Sequence, residues 1–221
     1  MRTVRTVTDA LLIQDLSFRY PGDPWEFRLP SLRLAPAEQV LMVAPSGTGK
    51  STLLGLTAGL LEPAGGRVHI ADKDIHALTG AARDRFRGQH IGMIFQTFNL
   101  LTGFSALENI MAALLFAGVH EREHRPRASA LLAELDITRA DAPIEDLSVG
   151  QQQRVAVARA LACSPALVLA DEPTASLDPE NARAAMDLIQ SLCRQKGAAL
   201  LCVSHDPAMA ARFERREALK N

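Results

Sequence analysis

The chain has 221 residues, of which 48% are hydrophobic and 22% are charged, and this composition is typical of a globular protein. Its formal net charge of −1 gives no sign of a nucleic-acid partner, so we expect none. The longest apolar run, residues 110–119, is too short to cross a bilayer, so we expect a protein that is not itself integral to a membrane.

Strand patterns fill most of the first 43 residues, where apolar segments alternate with Pro, Gly and Asp breaks. They predict strands within 10–20, 25–35 and 38–43. The segment GGRVHIADKDI at 65–75 predicts one further strand. The intervening KSTLLGLTAGL at 50–60 has an apolar face and predicts a helix close behind a buried strand.

The loop between that strand and that helix, APSGTGKST at 44–52, fits the phosphate-binding pattern G-x-x-x-x-G-K-[ST] except at Ala44. In such a loop backbone N–H groups surround phosphate, the lysine neutralises it and the hydroxyl binds Mg²⁺. Alanine is a problem only where φ must be positive, so we expect Ala44 to be tolerated. An ordinary glycine-rich turn is the alternative. The predicted nucleotide contacts are Ser46, Gly47, Thr48, Gly49, Lys50, Ser51 and Thr52, with Ser51 also holding Mg²⁺.

The remainder of the chain alternates helical and strand patterns. After a predicted strand at 90–96 the pattern is mostly helical over 97–163. Buried strands are predicted at 166–172 and 198–206, and between them lies a helix at 178–197. A strand, a phosphate loop, a helix and returning buried strands together indicate an α/β core with a mainly parallel sheet.

Two adjacent carboxylates follow one of these buried strands, since LVLADEPT at 167–174 places Asp171 and Glu172 at its end. In a phosphate-loop NTPase, an Asp at the end of a neighbouring strand holds Mg²⁺. A second carboxylate beside it can orient or deprotonate the attacking water. Helix capping or a turn is the alternative, which the upstream phosphate loop disfavours. We assign Asp171 to the metal and Glu172 to catalysis.

The segment LSVGQQQRVAVARAL at 147–161 predicts a well-capped helix, because Ser148 stands three residues before Gln151 in a capping box. A capped surface helix is the plain interpretation. The exposed helix N-terminus with Gly150 is also a good anion site, which could meet the phosphate of a nucleotide held by another molecule. Ser148, Gly150 and Gln151 are therefore candidate nucleotide contacts.

The sequence HEREH at 120–124 satisfies H-E-x-x-H, the pattern of a zinc-binding helix. Its surroundings are charged, no third ligand is evident, and Pro126 disfavours continuation of a helix. We therefore expect a solvated linker between two helices here, with a zinc site as the disfavoured alternative.

These stretches together resemble the ATP-binding subunits of ABC transporters, over essentially the whole chain. LSVGQ is similar to the family signature LSGGQ, with Val149 in place of its first glycine, and APSGTGKST is similar to the Walker A loop. LVLADEPTASLD resembles Walker B running into the D-loop, IFQTFNLL contains the Q-loop glutamine, and VSHD contains the switch histidine. LSFRYPG places an aromatic where the family stacks one on adenine. Six motifs in the family's order make the resemblance specific.

The resemblance implies further roles for individual residues. Tyr20 stacks on adenine, Gln96 serves Mg²⁺ and catalysis, and His205 contacts the γ-phosphate. Asp178, which ends the D-loop and is the expected N-cap of the following helix, joins the nucleotide-binding candidates. Two copies, identical or not, are expected to bind head to tail with two ATP between them. The LSVGQ residues of one copy then complete the site of the other, and Val149 is the departure that bears on this closure.

The same resemblance implies a fold and a division of the chain. It implies a single ABC ATPase domain over 1–221 whose P-loop NTPase core is of the RecA-like type. This core takes in 1–96 and 164–221 and carries an N-terminal antiparallel β region. The segment 97–163 is expected to be an inserted α-helical subdomain that bears the signature motif.

Within the family, IFQTFNLLTGFSALENI and the short length are most similar to the lipoprotein-releasing and macrolide-exporter ATPases, with a cell-division ATPase close behind. The expected function is ATP hydrolysis that drives a separate integral membrane subunit from the cytoplasmic face of the inner membrane. A non-transport ABC ATPase acting on nucleic acid is an alternative, disfavoured because the chain has neither heptad runs nor a second phosphate loop. A kinase on the same loop would need neither LSVGQ nor the switch histidine.

The segment that follows the Q-loop glutamine is rich in large apolar residues. Those at helical spacing are expected to pack inside, namely Leu107, Ile110 and Met111. Others have no such explanation, and a chain gains nothing from exposing large apolar side chains without a partner. We expect a groove for a short cytoplasmic helix of the membrane subunit to be lined by Phe98, Leu101 and Phe104.

Overall fold

The structure is a computed structural model that describes residues 8–45 and 47–219. The strands in this part of the chain are β1 (Leu11–Arg19), β2 (Glu26–Leu34), β3 (Gln39–Val43), β4 (Gly65–Ile70), β5 (Lys73–Asp74), β6 (Ile91–Ile94), β7 (Leu167–Asp171), β8 (Ala199–Ser204) and β9 (Arg215–Ala218). The helices are α1 (Lys50–Thr57), α2 (Gly80–His90), α3 (Ala106–Phe116), α4 (Glu121–Glu134), α5 (Val149–Leu161), α6 (Pro179–Lys196) and α7 (Pro207–Ala210), with a 3₁₀ turn at Ile144–Asp146.

The strands form two sheets of different kinds. An antiparallel sheet has the order β2-β1-β4-β5, and a parallel sheet has the order β6-β7-β8-β3-β9. The predicted α/β architecture, with its mainly parallel core sheet and N-terminal antiparallel region, is thereby confirmed.

The parallel sheet is buried on both faces, and successive side chains of each central strand enter different cores. In β7, Val168 and Ala170 pack with α3, α5 and α6, whereas Leu167 and Leu169 face α1 and the antiparallel sheet. β3 and β8 alternate in the same way. This explains why these strands are continuous apolar runs without polar alternation, as parallel strands covered on both sides must be.

The site is positioned by the carboxyl ends of neighbouring parallel strands. β3 leads into the phosphate loop, β7 into the Asp171–Glu172 pair and β8 into His205. Because β7, β8 and β3 are adjacent and parallel, all three connections emerge at one edge of the sheet, which is where open α/β sheets bind their ligands.

A β-bulge in β1 shapes the antiparallel sheet. Asp15 has φ 48°, and the register of β1 against β4 shifts between Gln14 and Ser17. The extra residue keeps Leu11 and Ile13 before the bulge, and Leu16 and Phe18 after it, on the buried face. The strand therefore continues to Arg19, directly before Tyr20, with Phe18 still in the core.

α6 is the longest helix in the described part of the chain, and its ends agree with prediction. Asp178 accepts hydrogen bonds from the backbone N–H groups of Glu180 and Asn181, and Gly197, with φ 71°, ends the helix. Neither α6 nor any other helix within 8–45 and 47–219 combines the length and the apolar character needed to cross a membrane.

One predicted strand differs from the structure, and two elements of the structure were not predicted. Residues 65–75 form a hairpin of β4 and β5, because Ala71 and Asp72 both adopt positive φ and reverse the chain. One of these unpredicted elements is α2, which buries only Phe86 and so has no apolar periodicity. The other is β9, an edge strand of sequence RREA that alternates between exposed and half-buried residues.

The linker predicted at 120–124 is wrong, since α4 begins at Glu121 and continues through Pro126. Proline removes one helical hydrogen bond, but burial of Ala128 and Leu132 on the core-facing side of α4 outweighs that loss. His120 caps the helix by accepting from the N–H of Arg122, and the ring of buried His124 hydrogen-bonds the carbonyl of Val119 at 2.8 Å. Among the described residues no group of three His, Cys, Asp or Glu side chains is arranged to hold a metal ion.

Gly92 in β6 tests how closely α5 packs on the parallel sheet. A Cβ at this position would lie 2.2 Å from the carbonyl oxygen of Ala160. We expect Gly92→Ala to lower the free energy of unfolding in urea by about 1–3 kcal/mol, the usual cost of overpacking. Gly150→Ala is the matched control, because a Cβ there meets nothing within 4 Å and alanine is the better helix former, so the stability should not fall. Equal stability of the two variants would contradict this packing.

Candidate active site

The phosphate loop turns on two glycines. Gly47 has φ 81° and Gly49 has φ 96°, a region that side-chain-bearing residues rarely adopt. Gly49 is the N-cap of α1, and a Cβ there would lie 2.9 Å from Phe27 and 3.0 Å from Trp25. Thr48 donates to the carbonyl of Pro45 at 2.7 Å and closes the turn. Ser46 lies outside the described residues.

Ala44 sits at the end of β3 in a conformation that does not need glycine. It is fully buried, its N–H donates to the carbonyl of Ser204 at 3.3 Å, and it is not among the positive-φ residues of the described chain. Its carbonyl accepts from Lys50 Nζ at 3.2 Å. The one departure from the phosphate-loop pattern therefore lies directly after β3, where the backbone does not need glycine.

The centre of the site is an ion pair between Lys50 and Glu172. Lys50 Nζ lies 2.7 Å from Glu172 Oε1, and the two side chains are only 11% and 9% exposed. The same carboxylate contacts His205 Nδ1 at 2.6 Å and accepts from Ser204 Oγ at 3.0 Å. Glu172 itself has φ 45°, a backbone conformation that costs energy for any residue with a Cβ atom.

The two neighbouring carboxylates are in opposite electrostatic environments. Burial raises the pKa of Glu172, but hydrogen bonds from its three partners outweigh that effect and hold this pKa below its usual range. For Asp171, burial is the largest effect, and together with the charge of Glu172 it raises the pKa despite a hydrogen bond from Ser51. Glu172 is therefore the firmly ionised member of the pair.

Ser51 and Asp171 form the oxygen-donor side of the site. Ser51 Oγ donates to Asp171 Oδ2 at 3.4 Å, which brings the start of α1 to the end of β7. Gln96 follows β6, the neighbour of β7, and its backbone carbonyl accepts from Ser176 Oγ at 3.1 Å. In the described part of the chain the Gln96 side chain makes no hydrogen bond to Ser51 or Asp171.

Beside the phosphate loop lies a cavity of about 510 Å³ that also contains aromatic side chains. Tyr20 lines it, and its hydroxyl lies 3.2 Å from Thr52 Oγ1. The lining residues are Tyr20, Asp23, Trp25, Gly47, Gly49, Lys50, Ser51 and Thr52. Trp25 and Asp23 were not predicted from the sequence, since neither belongs to a motif. Only their position between Tyr20 and β2 marks them.

The LSVGQ residues form the predicted cap at a separate place. Ser148 Oγ accepts from the N–H of Gln151 at 3.3 Å, and Gln151 Oε1 accepts from the N–H of Ser148 at 3.0 Å. Gly150 has open space around it, and Val149 is 57% exposed. No hydrogen bond or ion pair in the described ranges joins these residues to the phosphate loop or its carboxylates. The serine hydroxyl accepts in the cap, so its own hydrogen can donate to an anion.

Asp178 is engaged in its own helix. Its carboxylate accepts from the first turn of α6 and from the side chain of Asn181. It does not line the cavity beside the phosphate loop, although both belong to the described chain. The structure thus accounts for Asp178 as a cap, and contact with nucleotide stays a prediction.

A second cavity, of about 370 Å³, opens beside the segment that follows Gln96. None of the three residues predicted to contact the membrane subunit, Phe98, Leu101 and Phe104, lines this cavity. Leu101 and Phe104 are exposed, and their contact with a membrane subunit stays a prediction. Phe98 and Asn99 have positive φ, and half-buried Arg159 of α5 donates to both of their carbonyls, at 2.8 and 2.5 Å. On either side of this turn, Phe95 and Phe116 are the aromatic residues that line the cavity. The lining residues are Gly88, Ile91, Gly92, Met93, Phe95, Asn99, Ala113, Phe116, Arg159, Ala160 and Cys163.

A protein-family model described as ABC transporter matches residues 28–175, from β2 to just past the carboxylate pair. The chain belongs to the ABC transporter family. It is an ABC ATPase.

Relatives in two bacteria match almost the whole chain. The lipoprotein-releasing system ATP-binding protein LolD of Granulibacter bethesdensis is 41% identical over 216 residues, which are 96% of this chain and 94% of that protein. LolD of Gluconobacter oxydans is 41% identical over 226 residues, covering 100% of this chain and 97% of that protein.

Solved structures agree with this assignment. The dimeric, post-hydrolysis ATP-binding cassette MJ0796 bound to ADP and Pi has a TM-score of 0.79 and 35% identity, over 95% of this chain and 94% of that one. CbiO1 from Clostridium perfringens, part of the ABC transporter complex cbiONQ, has a TM-score of 0.79 and 27% identity, over 90% and 79%. The ABC ATPase fold is therefore shared across its length.

The conformation of Ala44 leads to a prediction for this ABC ATPase. Ala44→Gly should leave the Kd for ATP nearly unchanged and should destabilise the chain by about 0.4–1 kcal/mol, because glycine gains freedom in the unfolded state. Lys50→Ala should abolish tight binding, since it removes the one lysine that lines the cavity. Calorimetric titration with ATP distinguishes these outcomes. A large gain in affinity from Ala44→Gly would mean that the loop is strained as it stands.

Proposed function

We propose that this chain is the ATP-hydrolysing subunit of a lipoprotein-releasing transporter, working from the cytoplasmic face of the inner membrane on a separate integral membrane subunit. The observation that carries the proposal is the 41% sequence identity to two LolD proteins over nearly the whole chain. The site supplies the chemistry such a subunit needs, namely an anion cradle, oxygen ligands and an ionised carboxylate.

The phosphate loop binds the nucleotide's phosphates. Its left-handed glycines allow successive N–H groups to face one anion, and the N-terminus of α1 adds its positive dipole end. Ser51 and Asp171 already stand in contact through oxygen atoms, and such oxygens are the donors that Mg²⁺ prefers. With Gln96 as a further donor they would hold the ion, which supplies charge neutralisation between the phosphates when bound.

Glu172 orients the attacking water and accepts its proton. While paired with Lys50 it is a poor base, because its pKa is held low. Phosphate attracts Lys50 out of this pair, and Glu172 then loses a cationic partner and becomes more basic. His205 follows β8 and contacts Glu172, and in this proposal it binds the γ-phosphate. Nucleotide binding thus prepares the base for catalysis.

Two copies complete each site. The cap at Ser148 presents a helix N-terminus that no described group of the same chain's phosphate loop contacts. A head-to-tail dimer brings this cap to the nucleotide on the opposite subunit, which gives the signature residues an anion to bind. The dimeric arrangement of the MJ0796 cassette supports this proposal.

The membrane subunit docks in the cavity beside Gln96. Phe95 and Phe116 line it, and Phe116 is 76% exposed at the end of α3. Arg159 ties the intervening turn to α5, whose other end carries Ser148. A helix bound in this cavity would therefore be linked mechanically to the loop after Gln96 and, through Arg159, to the signature helix α5. The segment 97–163 moves as a helical unit in this proposal.

Glu172→Gln tests the catalytic assignment. The variant should bind ATP at least as tightly as the wild type, because a neutral amide releases Lys50, and turnover should fall by about 10²–10⁴-fold. It should also accumulate as an ATP-bound dimer in size-exclusion chromatography. Near-normal ATPase activity would remove Glu172 from its proposed role.

Reconstitution tests the transport assignment. In proteoliposomes containing the membrane subunit of a lipoprotein-releasing system and a labelled lipoprotein, the wild-type chain with ATP should move the label into the soluble fraction. The Glu172→Gln chain should not. Hydrolysis of ATP without any release of the label would rule out the lipoprotein assignment while leaving the ATPase assignment intact.

Phe116→Asp tests the docking cavity. Its affinity for the membrane subunit in detergent should fall by about 30-fold, the equivalent of losing a 2 kcal/mol aromatic anchor. Phe104→Asp is the matched control, since Phe104 is 49% exposed but lies outside the cavity, and its binding should be normal. Both variants should melt like the wild type. Normal binding by Phe116→Asp, or equal loss in both, would contradict the placement.

A further inference from the structure

Trp25, the single tryptophan of the chain, lies in the nucleotide cavity without belonging to any of the motifs. It immediately precedes β2 and is half-buried. Its ring is nearly parallel to that of Tyr20, with an interplanar angle of 25° and centroids 6.1 Å apart. The cavity wall beyond the phosphate loop is therefore made of two aromatic rings.

The position of the indole is fixed from several sides. The backbone N–H of Trp25 donates to Asp23 Oδ1 at 2.9 Å, which holds the chain at this residue, and the centroid of the indole ring lies 6.3 Å from that of Phe27. A Cβ on Gly49 would lie 3.0 Å from the Cζ2 and Cη2 atoms of the indole. The ring thus fills the space between Tyr20 and the N-terminus of α1.

Tyr20 is held just as firmly. Its ring meets Phe18 edge-on with centroids 4.7 Å apart, and its hydroxyl lies 3.2 Å from Thr52 Oγ1. Both aromatic rings are therefore in place before a ligand arrives. A surface that needs no reordering loses less free energy on binding than a mobile one.

We propose that Trp25 is a second nucleoside-contacting residue of this site, and that it makes the site discriminate a nucleotide from a bare polyphosphate. The inference rests on the proposed function. A ligand with its phosphates at Gly49 and Lys50 and its base on Tyr20 must pass its sugar along the indole, which stands between them. Flat aromatic faces bind bases by stacking and cover the apolar face of a sugar.

A purely supporting role for Trp25 would have different consequences. If the indole only holds Gly49 and the phosphate loop in shape, its removal lowers the affinity for every phosphate-bearing ligand by the same factor. If it contacts the nucleoside, only ligands with a base and sugar are affected. A ligand pair that differs in this one part separates the two roles.

The experiment compares a non-hydrolysable ATP analogue with tripolyphosphate by calorimetry on the full chain. Trp25→Leu keeps apolar bulk without an aromatic face. It should weaken binding of the analogue by about tenfold or more and leave the affinity for tripolyphosphate unchanged. Trp25→Phe should retain most of the affinity for the analogue. Equal weakening of both ligands, or no change in either, overturns the inference.

The fluorescence of the wild-type chain gives a second readout, since Trp25 is its only tryptophan. The analogue should shift the emission and tripolyphosphate should not. Unchanged emission at saturating analogue overturns the inference. Absence of any analogue binding by the wild type overturns the proposed function as well, whereas normal binding that Trp25→Leu leaves intact overturns the inference alone.

Discussion

The ion pair between Lys50 and Glu172 is the contact on which the site is organised. It joins the start of α1 to the end of β7, and through His205 and Ser204 it reaches the end of β8. Three adjacent parallel strands therefore meet in one cluster of charge at the edge of the sheet. Because the pair is nearly shielded from water, removal of either partner would leave the other as an uncompensated buried charge.

In the proposed mechanism the same pair keeps Glu172 a poor base until nucleotide binds. In the proposed mechanism phosphate competes with Glu172 for a single lysine, so binding and activation of the base are one event. The sheet edge supplies rigid placement, and the positive φ of Glu172 shows that the fold holds this residue in a costly conformation. Charge that is arranged in advance, in a poorly hydrated site, is what phosphoryl transfer requires.

The sequence predicted those parts of the fold in which a local pattern has one physical cause. Buried parallel strands are apolar runs, the phosphate loop needs its two glycines, and Asp178 and Ser148 cap helices in the structure as expected. Tertiary packing decided the rest. α4 continues through Pro126 because its core face is buried, and α2 has no apolar stripe for a pattern to find.

The functional surfaces show the same limit. The left-handed turn at Phe98 and Asn99, held by Arg159 from another helix, decides which aromatic residues face the cavity beside Gln96. Spacing along the chain carries no record of that turn, so Phe95 and Phe116 could not be distinguished from Phe98 and Phe104. Trp25 likewise gains its place only through the folded contact with Gly49.

The central claim is that nucleotide takes Lys50 away from Glu172. The most direct measurement is the distance from Lys50 Nζ to the Glu172 carboxylate in crystals of the wild-type chain grown with and without a non-hydrolysable ATP analogue and Mg²⁺. Without the analogue we expect the contact seen here, and with it we expect Lys50 on phosphate oxygens and out of hydrogen-bonding distance of Glu172. An intact Lys50–Glu172 pair in the presence of bound analogue would contradict the account.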